Sequence, residues 1–113
     1  SVGSIIAESL VRTGISKLSF IDFDRIETKN LDRILSVKRS EVNEFKVNAI
    51  CSRLQDCDLN RNLKIDKLPY SVIEKQGLEA ALDCDLLFSC VDRPWPRFIL
   101  DCVAFANAIP VID

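Results

Sequence analysis

The sequence contains no histidine. That removes His-based catalytic triads, histidine zinc sites and imidazole acid–base catalysis together. It also lacks any pair of cysteines at CxxC spacing. The five cysteines fall at Cys51, Cys57, Cys84, Cys90 and Cys102, so no metal knuckle or redox pair is written into the chain. Their odd number and irregular spacing fit unpaired thiols in a reducing compartment. Cys90 and Cys102 are expected to be small core residues, since free cysteine is among the most buried residue types. No apolar stretch approaches membrane-spanning length, and nothing at the start reads as a signal peptide. The expected setting is cytoplasmic, with no membrane partner. There is no long basic run either. Fifteen Lys and Arg stand against seventeen Asp and Glu, a net charge of −2, which argues against a nucleic-acid partner.

What remains is an ordinary globular composition of 113 residues, 48% hydrophobic and 28% charged. A chain of this size buries roughly two-thirds of its extended surface, enough for one domain. It opens as Ser1-Val2-Gly3-Ser4 directly onto a helical pattern and closes on a strand-like Pro110-Val111-Ile112-Asp113. The expectation is a fragment of a longer protein, residues 1–113 forming part of one domain whose first strand lies outside this chain.

Hydrophobic periodicity predicts helices over residues 4–13, 41–54, 71–82 and 96–107. Gly14 supplies the stop of the first. Ser40 is expected to cap the second, which buries Val42, Phe45, Ala49 and Ile50. Ser71 and Glu74 form a capping-box pattern for the third. The fourth is expected to turn Phe98, Cys102, Phe105 and Ala106 inward, with Trp95 plugging its start. Short β-rich runs predict strands over residues 17–23, 63–68, 85–91 and 109–112. The run 85–91 is nearly continuous in apolar residues, as in a strand covered on both faces. Strict alternation of helix and strand predicts an α/β, Rossmann-like fold: a mainly parallel sheet with helices on both faces. Residues 24–40 form the one long irregular stretch, and loops of that size inside a compact domain are usually functional or disordered.

Open parallel sheets bind ligands beyond the carboxyl ends of their strands. Two predicted strand ends carry acids: Asp22-Phe23-Asp24 and, after Val91, Asp92. Gly3 opens the first helix 19 positions before Asp22, close to the ~20 that separates a glycine-rich nucleotide loop from its ribose-binding acid. On spacing alone, an ordinary helix-opening glycine and a solvated acid explain these residues equally well. Arg33, in the irregular stretch, and Lys46, on the helix after it, supply cations. Two cations and a carboxylate are what phosphate chemistry requires: charge to offset the phosphoryl oxygens and an oxygen ligand for Mg²⁺. By composition alone they are also two of fifteen solvated cations.

The pattern Gly3-Ser4, Ala7-Glu8, Gly14, Lys17-Leu18, Ile21-Asp22-Phe23-Asp24, Glu27, Asn30-Leu31-Asp32-Arg33 and Lys46 resembles the adenylation domain of the ThiF/MoeB/HesA family, relatives of the ubiquitin-activating enzymes. Ser89-Cys90-Val91-Asp92 and Arg97 resemble that family's second acidic strand end, and Pro110–Asp113 its next strand. The run from Asp92 to Arg97 resembles a bacterial branch. Carried over by position, the resemblance implies Gly3 as the last glycine of an ATP loop and Asp22 on the ribose hydroxyls, with Asp24 beside it. It implies Asn30 and Arg33 on phosphates, Lys46 on the α-phosphate and Asp92 on Mg²⁺. Arg33 and Lys46 are thereby the implied catalytic residues. The implied reaction is attack on ATP by the C-terminal carboxylate of a ubiquitin-like or sulfur-carrier protein, giving an acyl-adenylate and pyrophosphate. A carboxylate is already ionised at pH 7, so no histidine base is needed. The resemblance also implies a homodimer. Ile34 stands where the family usually has Gln, and none of the five cysteines matches the family's transfer thiol. Two other readings remain at this level: a catalytically inactive family member serving as a structural subunit, and an NAD(P)-binding oxidoreductase. The second leaves Asn30, Arg33 and Lys46 unexplained.

Overall fold

The alternation written in the sequence becomes alternation in space. The structure, a computed structural model, describes residues 2–34 and 37–113. The elements run α1 (Val2–Arg12), β1 (Lys17–Ile21), α2 (Lys46–Cys57), β2 (Lys64–Leu68), α3 (Lys75–Leu82), β3 (Leu87–Phe88), α4 (Pro94–Ala106) and β4 (Val111–Ile112). Two short 3₁₀ turns, Thr28–Asn30 and Arg39–Glu41, lie between β1 and α2. β1 and β2 pair in parallel, from Lys17 opposite Lys64 to Ile21 opposite Leu68. β3 and β4 pair in parallel, Leu87 opposite Val111. Among the described residues no ladder joins the two pairs.

Period-two alternation places helices on both faces. Leu18, Phe20 and Ile65 pack with Ala7 and Val11 of α1, Leu54 of α2, and Leu63. Ile21 joins the second cluster, with Val72, Ala81, Leu87, Leu100 and Ala104. α1 stops where expected. Gly14 adopts φ +100°, its N–H donates to the Val11 carbonyl, and the Ile15 N–H donates to the Leu10 carbonyl. This Schellman closure needs a left-handed residue, which glycine supplies without a Cβ clash. On the outer side, Glu8 ties α1 to α2. Its carboxylate lies 2.9 Å from Arg12 and 2.8 Å from Arg53, and the hydrogen bond from Arg12 holds it below the usual carboxylate range.

Three expectations need correction. α2 begins at Lys46, not at residue 41. Asn43 sits at φ 78° and Phe45 is extended, so residues 39–45 bend through a 3₁₀ turn instead of continuing a helix, and Ser40 caps no α-helix. The buried face is Val47, Ala49, Cys51 and Leu54. In α4 the buried residues are Leu100 and Ala104, while Phe98, Cys102, Phe105 and Ala106 face outward. Leu100 and Ala104 join Leu87, Val72 and Ala81 in one buried cluster. Trp95 is exposed, its ring stacked on Phe98 at 6.0 Å. Thirdly, the apolar run 85–91 is not covered on both faces. Leu87 and Ser89 point inward, but Leu86 and Cys90 are exposed. Alternation thus places Cys90 outside the core, and Cys51 is the fully buried thiol.

The expected Ser71–Glu74 capping box forms only in part. The Ser71 N–H donates to the Glu74 carboxylate, but Ser71 Oγ accepts from the Ile73 N–H, and the helix starts at Lys75 with Glu74, not Ser71, as its N-cap. Gly77 is demanded by this turn: a Cβ there would lie 2.1 Å from the Ser71 carbonyl oxygen.

Candidate functional site

The carboxyl ends of the parallel strands form one rim. Asp22 follows β1, and its N–H continues the ladder by donating to the Leu68 carbonyl at 3.1 Å. The Asp24 N–H donates to Asp22 Oδ1 at 2.8 Å, bending the chain back over the strand end. Burial raises Asp22 above the usual carboxylate range. The charges of Asp24 and Asp92 push the same way, while the Asp24 N–H and Lys46 oppose them. Asp22, Asp24, Lys46 and Asp92, from three separate stretches of the sequence, therefore share one electrostatic neighbourhood.

Lys46 is the first residue of α2. A cation there works against the helix dipole, so helix stability alone does not select it. Its ammonium is largely covered and lies 2.7 Å from Asp24 Oδ2, and its N–H donates to the Asp24 carbonyl at 2.9 Å. The pair bridges the residues after β1 to the start of α2.

Asn30 and Arg33 sit on the turn that leads out of this corner. Asn30 Oδ1 accepts from the Glu27 N–H at 2.9 Å, so the side chain shapes the first 3₁₀ turn. Arg33 is exposed and pairs with Asp32 at 2.9 Å. Ile34, where the resemblance would place a Gln, is buried. It anchors the turn instead of offering a polar contact.

On the β3 side, the start of α1 meets the strand end. A Cβ on Gly3 would lie 3.4 Å from Cys90 Cβ. Gly3 therefore lets the helix terminus lie close to the chain just before Asp92. Arg97, in the first turns of α4, donates through Nη2 to the Val91 carbonyl at 2.9 Å. Its Nε lies 3.1 Å from Asp113 Oδ2, an ion pair that is not aligned as a hydrogen bond. Asp113, expected above only as the end of the last strand, directly follows β4, and the strand-end rule applied to β4 finds it as a rim residue. Arg25 and Phe45 were likewise missed, because their contact joins positions twenty residues apart.

Among the described residues, no three acids or thiols converge as a ready-made metal cage. Mg²⁺ does not require one, since it keeps waters and takes one or two carboxylates plus substrate phosphates. The exposed Asp92 on this rim fits that pattern. A cavity of about 480 Å³ lies elsewhere, lined by Ser19, Ile65, Asp66, Lys67, Leu68, Ala80 and Asp83. It includes none of the rim residues. No helix among the described residues is long and apolar enough to cross a membrane.

Comparison with solved structures shows the same fold at low sequence identity. E. coli TcdA, a tRNA threonylcarbamoyladenosine dehydratase solved with ATP, superposes with a TM-score of 0.83 at 23% identity, over 96% of this chain and 44% of that one. E. coli MccB solved with ATP gives 0.83 at 20% identity, over 97% and 33%. Among curated proteins, the adenylyltransferase and sulfurtransferase UBA4 of Meyerozyma guilliermondii is 31% identical over 104 residues, 92% of this chain and 24% of that protein. Ubiquitin-like modifier-activating enzyme 5 of Xenopus laevis is 33% identical over 101 residues, 81% of this chain and 25% of that protein. The chain thus spans about a quarter of the length of these relatives. The ThiF family matches it from residue 1 to residue 113, and the chain belongs to that family.

Proposed function

We propose that the protein containing this chain activates the C-terminal carboxylate of a ubiquitin-like or sulfur-carrier protein by adenylation, with ATP as the nucleotide. The observation that carries this reading is the pairing of Lys46 with Asp24 beside the half-buried Asp22, which also feels the charge of Asp92. Family membership and the ATP-bound neighbours support it.

In this reading Asp22 accepts hydrogen bonds from the ribose hydroxyls, and Gly3 gives the phosphate chain access to the amides that open α1. Asn30 and Arg33 hold phosphate oxygens from the turn. Lys46 exchanges Asp24 for the α-phosphate oxygens. It stabilises the charge that grows there as the incoming carboxylate attacks phosphorus and pyrophosphate leaves. Asp92 would hold Mg²⁺, which neutralises phosphate charge when bound. No residue of the chain needs to remove a proton, which agrees with the absence of histidine. The partner is the carrier protein, the working unit is a homodimer and the setting is cytoplasmic.

Isotope exchange between pyrophosphate and ATP tests the reading in the intact protein, with and without candidate carrier proteins. Carrier-dependent exchange is expected, and Lys46→Ala reduces it by about a hundredfold or more. Exchange undiminished in that variant removes Lys46 from the chemistry. No exchange with any ubiquitin-like or sulfur-carrier protein removes the reaction.

A further inference from the structure

Lys46 is a flexible side chain, so its usefulness depends on how firmly its backbone is held. The holding contacts lie at the base of the long excursion between β1 and α2, where two segments run antiparallel. The Ile26 N–H donates to the Glu44 carbonyl at 2.8 Å and the Lys46 N–H to the Asp24 carbonyl at 2.9 Å. The Asn43 N–H donates to the Ile26 carbonyl at 2.8 Å. Ile26 is fully buried beneath them.

Arg25 and Phe45 face each other across this bridge. The Arg25 guanidinium lies 3.9 Å from the centre of the Phe45 ring, and its Nη1 donates to the Asn43 carbonyl at 2.7 Å. Asn43 holds the left-handed bend of the segment, and Phe45 immediately precedes Lys46. One planar cation therefore grips both the bend and the ring that set the entry into α2. A planar guanidinium stacks flat on an aromatic face while its in-plane N–H groups point at an acceptor, a geometry the ammonium of lysine does not match.

We infer that Arg25 and Phe45 form a positioning lock that fixes where the Lys46 ammonium meets a phosphate chain. Arg25 acts through Phe45 and Asn43, not by touching substrate. The inference rests on the nucleotide reading for its ligand, but the lock itself has a readout that needs none.

The test compares the intact wild-type protein with Arg25→Lys, Phe45→Ala and Phe45→Tyr. Without ligand, amide hydrogen exchange at residues 43–46 rises roughly tenfold in Arg25→Lys and Phe45→Ala and stays at the wild-type rate in Phe45→Tyr. Amides of α3 and α4 keep their rates in all variants, which controls for folding. By calorimetry, Arg25→Lys and Phe45→Ala weaken ATP binding about tenfold and leave adenosine binding unchanged. Phe45→Tyr restores ATP binding. Unchanged exchange at 43–46 overturns the lock, as does equal weakening of ATP and adenosine. Weakened ATP binding in Arg25→Lys alone, with Phe45→Ala unaffected, makes Arg25 a direct phosphate ligand and also overturns it. A wild-type protein that binds no ATP overturns the nucleotide reading instead, and hydrogen exchange then still decides the lock.

Discussion

At the scale of single residues, Asp22 carries a conflict between stability and ligand binding. Its folded carboxyl titrates above the ordinary value because burial disfavours the charge. The folded state therefore holds that proton more tightly than the unfolded chain. Stability falls as pH rises from the ordinary carboxylate range through the raised value. Asp22→Asn removes the loss. Thermal melts of the variant are expected to show a higher midpoint than wild type at pH 7 and a smaller difference near pH 4, while nucleotide affinity falls. A lower midpoint at pH 7 contradicts the assignment. The thiols make a second test. Cys51 is fully buried and its thiol is pushed up to about 11 by burial, whereas Cys102 is exposed. Iodoacetamide at pH 8 labels Cys102 in the folded protein and Cys51 only after denaturation, as read by peptide mass spectrometry.

At the scale of elements, α4 separates residues of similar character by position. Leu100 is buried, whereas Phe105 is 91% exposed. Leu100→Ala is expected to cost about 2–5 kcal/mol in urea unfolding, from lost transfer and a residual cavity. Phe105→Ser is expected to fall within about 0.5 kcal/mol of wild type. Equal costs contradict the rotation of α4 described above. That rotation was not legible beforehand. Trp95, Phe98 and Phe105 lie on one side and Leu100 and Ala104 on the other, so the apolar pattern fits either face. The start of α2 was hidden for another reason. Val42 and Phe45 fall at helical spacing with Ala49, but Val42 and Phe45 are extended and Asn43 is left-handed, which breaks the run. Such backbone choices are made by the Ile26 and Arg25 contacts across the loop, not by local propensity. The α3 turn is a cleaner case. Gly77→Ala places a methyl against the Ser71 carbonyl and is expected to cost about 1–3 kcal/mol or more in the same measurement; a neutral effect contradicts the close approach.

At the scale of the molecule, the order of helices and strands and the parallel pairing of the sheet were readable from punctuation and periodicity. So was Asp22 directly after β1, because parallel strands place their carboxyl termini on one side whatever the details of packing; Asp92 instead lies four residues past the end of β3. The charge relationships among them were not. Nothing local in the sequence says that Lys46 pairs with Asp24 or that Asp113 reaches Arg97, since those contacts are made by the fold. The two strand pairs contribute separate halves of the rim, Asp22 and Asp24 from one and Asp92 and Asp113 from the other. The account as a whole asks this rim, not the cavity between the β1–β2 ribbon and α3, to receive the nucleotide. A crystal structure of the intact protein with a non-hydrolysable ATP analogue tests that most directly. The account predicts the ribose on Asp22 and the α-phosphate within hydrogen-bond distance of Lys46 Nζ, displacing Asp24. An analogue seated against Ser19, Asp66 and Asp83, with the Lys46–Asp24 pair undisturbed, contradicts it.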